Sequence, residues 1–154
     1  MFKLNKKIPE KTLYSKIIHL SRNKLLYTEF GLNDTFQNRI YLIFIHISFL
    51  FNKIKNNNDA SLYKDFYQKM FDYTFSQIEI NMREMGYGDV TVNKKMKFLV
   101  RSFYNILLNC ESYQKKSLKL KTSFINNYLT FNFDANRQHS SKLIVYFDKY
   151  HIFC

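Results

Sequence analysis

The chain has 154 residues, 46% of them hydrophobic and 18% aromatic, which excludes intrinsic disorder and leaves room for one continuous core. Three Gly and one Pro are too few for the tight turns of a multistranded sheet, so an all-α fold is expected. The net charge of +12 is segregated, with seven Lys or Arg against two Glu in residues 1–30 and eight against Glu111 in residues 94–121; that pattern suits RNA or an acidic lipid surface, and it equally matches the Lys-, Asn-, Ile- and Phe-rich usage of an AT-rich genome.

Residues 1–10 read as a flexible basic N-terminus without the apolar run of an export signal. Leu13, Ile17 and Leu20 then mark one face of a first short helix within residues 11–22. A second short segment, 25–30, stops at Gly31, where a residue free to take positive φ ends a helix. Asn33 or Asp34 is expected to cap the next helix, which runs from about Thr35 to Lys55. Its face of Phe36, Ile40, Ile43, Ile47, Leu50 and Ile54 is joined by Leu42, Phe44, Ile45, Phe49 and Phe51. A helix apolar nearly all round belongs at the centre of a bundle. Its most apolar run, Ile40 to Phe51, is 12 residues long, short of the roughly 20 needed to span a bilayer.

After a polar loop at 55–59, with Asp59 or Ser61 as cap, a long helix is predicted from about Ser61 to Met85. Tyr63, Tyr67, Phe71, Phe75, Ile78, Met82 and Met85 form its buried face. A loop from Gly86 to Val92 follows, with Thr91 or Asn93 starting another helix. That helix would bury Met96, Leu99 or Val100, Phe103, Leu107 and Cys110, leaving Lys94, Lys97 and Arg101 as one basic stripe on its solvent face. Phe124, Ile125, Tyr128 and Leu129 suggest a further helix, and 132–141 reads as loop. The end, 142–153, fits either a terminal helix or a strand-like tail. The whole is a single-domain bundle of about five to seven helices around a central apolar one.

The catalytic inventory is thin. His19, His46, His139 and His151 lack metal-ligand spacing, and Cys110 and Cys154 provide neither a metal motif nor a disulfide framework, which fits a reducing compartment. Gly86-x-Gly88 follows a helix, whereas a phosphate loop follows a strand and carries a Gly-Lys-Ser/Thr. His46, inside the most apolar helix, reads as a buried neutral imidazole bonded to a polar neighbour; a haem ligand would need a second ligand at suitable spacing. Asp34 and Arg39 are candidates for an ion pair, and Arg83, Glu84 and Asp89 for charge pairs that lock the two-glycine segment.

Several blocks occur in order along the chain: Tyr27-x-x-Phe30-Gly31-Leu32-x-Asp34-Thr35, then Arg39, Leu42 and His46, and Arg83-Glu84-Met85-Gly86-Tyr87-Gly88-Asp89-Val90-x-Val92-x-Lys94-Lys95. Together with Phe103-Tyr104 and Asn126-Asn127, they resemble the ubiquinol-cytochrome c chaperone family. The chain departs from that family at Asn38, where Gly usually precedes the Arg, and at Asn105-Ile106, where Gly-Arg usually follows Phe-Tyr.

The resemblance implies a helical, non-catalytic chaperone without cofactor that binds newly made cytochrome b during assembly of ubiquinol-cytochrome c reductase. It also implies a possible small partner subunit, contact with the ribosome or an anionic membrane surface, and no DNA partner. The expected place is the bacterial cytoplasm beside the inner membrane, or the matrix side in a mitochondrion. A basic RNA-binding or ribosome-associated regulator without a cytochrome client is the alternative. Asp34, Thr35, Arg39, His46, Arg83, Glu84, Gly86, Gly88 and Asp89 are the candidate client, partner or structural positions. Lys94, Lys97 and Arg101 are the candidate basic face, presented by a joint at residues 83–89.

Overall fold

A computed structural model describes residues 10–57, 60–132 and 137–153. Nearly all of the expected flexible N-terminus, the Asp59 cap, Cys154 and residues 133–136 of the loop expected over 132–141 lie outside them, and residues 137–141 of that stretch are helical. Seven α-helices follow one another: α1 (Glu10–Ser21), α2 (Lys24–Thr28), α3 (Phe36–Asn57), α4 (Ala60–Glu84), α5 (Asp89–Glu111), α6 (Leu118–Tyr128) and α7 (Arg137–Phe153). A 3-10 turn, Tyr113–Lys115, joins α5 to α6.

The central position expected for α3 is what its burial shows. Every residue from Ile40 to Phe49 is buried, so neighbours cover the helix on all sides. It packs against α1, α4 and α5, while His46 meets Phe147 and Tyr150 of α7 edge-on and Phe49 meets Tyr150 edge-on and Phe147 at a tilt. Phe44, Phe51, Phe71, Phe75 and Phe103 form a ring cluster between α3, α4 and α5. Such tilted and edge-on pairs add about 0.5–1.5 kcal/mol each beyond area burial.

Several boundaries differ from the sequence expectation. The cap of α3 is Thr35, whose hydroxyl accepts from the Asn38 amide at 3.1 Å; Asp34 instead turns to Arg39. Asn33 joins residues 130–131, because an isolated antiparallel bridge pairs Leu32 with Phe131. The start of α5 is Asp89 and not Thr91 or Asn93. Gly88 is its N-cap, and the Val92 amide donates to the Gly88 carbonyl at 2.9 Å. A carboxylate in the first turn suits the positive end of the helix dipole. The segment 142–153 is helical and α7 begins earlier, at Arg137, since Leu143, Ile144 and Phe147 are buried at helical spacing. In α5 the buried residues are Val92, Leu99, Ser102, Phe103, Ile106 and Cys110, so Ile106 takes the place expected of Leu107.

Asn38 has an unexpected role. Its amide donates to the carbonyls of Asn33 and Thr130, both at 2.8 Å, and its Oδ1 accepts from the Thr130 amide at 3.0 Å. The residue that departs from the family pattern therefore ties the start of α3 to the end of α6.

Candidate docking face and its joint

The joint between α4 and α5 is built from helix-ending rules. Gly86 has φ +92°, and the Gly86 and Tyr87 amides donate to the Arg83 and Met82 carbonyls at 3.0 and 3.3 Å. This is the Schellman closure of a helix. Arg83 then spans the turn, bonding Glu79 one helical turn back at 3.1 Å and Asp89 at the start of α5. Both bonds raise the Arg83 pKa, the one to Asp89 most. Glu84 is not part of this clamp. It lines a cavity between α1, α3 and α4, and Glu79 takes the role expected of it. Lys95 lies over the Tyr87 ring, 5.0 Å from its centroid, fixing the turn onto α5.

Asp34 and Arg39 form a two-pronged pair at 2.7 and 2.9 Å, and the bond from Arg39 holds the Asp34 carboxyl below its usual range. His46 is fully buried. Its Nδ1 lies 2.6 Å from the Leu42 carbonyl and its Nε2 lies 2.7 Å from the Tyr146 hydroxyl. A carbonyl only accepts, so Nδ1 carries the proton and Nε2 accepts from Tyr146. Burial lowers the imidazole to about 4 against the opposing pull of the Leu42 bond. Burial likewise pushes the Cys110 thiol above its ordinary range. Neither the Asp34–Arg39 pair nor His46 adjoins the α5 stripe in sequence or helix face; they brace α3.

Lys94, Lys97 and Arg101 are all exposed and form no ion pair among the described residues. Sequence reasoning missed what surrounds them. Val90, Lys94, Lys97, Arg101, Tyr104 and Leu108 recur at alternating steps of four and three, a single stripe about 27 Å long at 1.5 Å per residue. Val90, Leu108 and Tyr104 are 70%, 63% and 45% exposed, and Phe98, beside Lys94 and Arg101, is 56% exposed. Met85, expected in the core, is half exposed just past the end of α4 and is not part of this stripe. The available signal was that α5 carries apolar residues on two opposite faces, of which the core can cover only one. The stripe contains no Asp or Glu. Exposed apolar side chains around a basic centre make this stripe the candidate docking surface.

Among the described residues the fold is that of an all-α bundle with this stripe as its candidate docking face. Residues 28–149 match the model of the Ubiquinol-cytochrome C chaperone family, and the chain belongs to that family. Its fold is similar to the crystal structure of the Cbp3 homolog from Brucella abortus, with a TM-score of 0.73 at 22% identity, covering 89% of this chain and 75% of that one. No curated protein matches the chain in sequence. No helix among the described residues is long and apolar enough to cross a membrane.

Proposed function

We propose that this protein is a non-catalytic assembly chaperone of ubiquinol-cytochrome c reductase that receives newly made cytochrome b beside a membrane, with the outer stripe of α5 as its docking face. Membership of the chaperone family supports the role in assembly, and the composition of the stripe supports the place. A membrane protein in transit exposes apolar segments next to lipid phosphates. Val90, Phe98, Tyr104 and Leu108 can shield the former, while Lys94, Lys97 and Arg101 meet the latter. The Arg83 clamp holds α5 at a fixed angle to α4 and so acts on docking indirectly.

The unpaired basic triplet also favours a second reading, in which the same stripe rests on ribosomal RNA or the protein is an RNA-binding regulator with no cytochrome client. Deleting the gene and recording b-type haem spectra separates the two: assembled cytochrome b falls while its message persists if the chaperone reading holds. Unchanged spectra, together with RNA binding that weakens steeply with salt, would favour the regulator.

A further inference from the structure

Two neighbouring cavities at the start of α3 share Arg22 and Arg39 in their walls. One, of about 280 Å³, lies between α1, α3 and α4, with Ile18, Phe36, Ile40, Ile43, Ile78 and Met85 on its apolar side. The other, of about 250 Å³, lies between the α1–α2 turn and α3, with Lys24, Tyr27, Thr28 and Asp34 completing its wall. Arg22 and Lys24 are exposed and form no ion pair among the described residues. Arg39 spends two of its five N–H donors on Asp34 and engages the Tyr27 hydroxyl as well, which leaves about two for a ligand. The Tyr27 hydroxyl donates to the Ser21 carbonyl at 3.0 Å and pins α2 against α1, which fixes the spacing of Arg22 from the α3 start. Three cations thus face one carboxylate, Asp34, at the polar end, and the partly exposed apolar side chains of Ile18, Phe36 and Met85 lie beside the same two arginines.

We propose that this cleft is a binding site for a single-chain anionic amphiphile, its phosphate or carboxylate head held by Arg22 and Arg39 and its alkyl chain lying against Ile18, Phe36 and Met85. Glu84, the carboxylate of the apolar cavity, repels a head group from its own wall and directs the charge to the arginine end. Each cavity falls just below the roughly 300–1,000 Å³ of small-molecule pockets, the scale of a short alkyl chain or a head group and not of a larger ligand. A helical segment, roughly 10 Å across with its side chains, does not fit. The site is separate from the α5 stripe and would stand if the docking face had another partner.

Calorimetric titration of the full chain with decyl phosphate and with decanoate, each below its micellar concentration, tests this, with inorganic phosphate and decanol as head-only and tail-only probes. Saturable one-to-one binding of either amphiphile, roughly tenfold or more tighter than the head or tail alone, is expected; which of the two binds tells whether the head is phosphate or carboxylate. Arg22→Gln weakens that binding by roughly tenfold, the loss of one charge-assisted bond, with the thermal unfolding midpoint unchanged because Arg22 is exposed. Ile18→Gln weakens amphiphile binding without changing any response to inorganic phosphate. Replacing Lys94, Lys97 and Arg101 by Gln leaves amphiphile binding intact. Absence of saturable binding, inorganic phosphate binding as tightly as the amphiphiles, insensitivity to Arg22→Gln, or loss in the α5 variant would each overturn the proposal.

Discussion

Acidification should weaken the fold through His46. The imidazole goes from its ordinary 6.5 in the unfolded chain to about 4 in the folded one, so between those values the unfolded state binds the extra proton. A folded pKa lying below the unfolded one means that the stability is fully present above 6.5 and is lost as pH falls toward 4. The full gap is worth about 3 kcal/mol at 1.36 kcal/mol per tenfold, and about 2 kcal/mol is already gone near pH 5. For a chain of this length that lowers the melting temperature by roughly 4–8 °C. The geometry agrees with the sign: protonated Nε2 would lose the bond that the Tyr146 hydroxyl donates to it and would place a charge among Phe49, Phe147 and Tyr150. Denaturant midpoints of the wild type and of His46→Gln, measured between about pH 7.5 and pH 5, isolate the effect. His151, also lowered chiefly by burial, and the carboxylates titrate alike in both proteins and cancel in the difference. The variant should be less stable near neutrality by about 1–3 kcal/mol, for the bond lost by Tyr146, and should lack the pH-dependent part. A wild-type-minus-variant difference that stays flat with pH would refute the buried neutral imidazole.

Asn38→Ala should cost about 2–3 kcal/mol, since it removes three hydrogen bonds between the start of α3 and Thr130, and faster amide exchange at Thr130 and Asn132 would report the loosened tie. The two glycines of the joint should respond oppositely. A Cβ has open space at both, so Gly86→Ala suffers only from its φ of +92°, about 1–2 kcal/mol, whereas Gly88→Ser supplies a capping hydroxyl and a stiffer unfolded chain and should stabilise by about 0.5–1 kcal/mol. On the docking face, replacing Lys94, Lys97 and Arg101 by Gln should abolish the salt-sensitive part of binding to vesicles rich in anionic lipid, and Phe98→Ser with Leu108→Ser should remove the part that survives high salt; co-sedimentation across a salt series resolves the two. Thermal melts should show little change for either set, because these side chains are exposed.

The helices up to α6, their order and the central place of α3 were legible in the sequence because each rests on signals spanning only a few residues: apolar side chains every three or four positions, Gly31 and Gly86 at stops, and too few turn residues for a sheet. The exception is α7, whose sequence fits either a helix or a strand-like tail and which begins within a stretch that reads as loop. The Asp34–Arg39 pair was legible for the same reason, since five positions separate its partners. Tertiary structure decided the rest. Periodicity in α5 is satisfied by either of two apolar faces, and only the position of α3 determines that Ile106 is covered while Phe98 and Leu108 are not. Thr35 rather than Asn33 caps α3 because Asn33 is drawn to residues 130–131, and Asn38 finds Thr130 from 92 residues away; no local pattern encodes either. The meeting of Arg22, from the end of α1, with Arg39, from the first turn of α3, has the same origin. Local chemistry sets where helices begin, end and turn an apolar side inward, and the packing of distant helices settles which charged and apolar groups remain on the outside together.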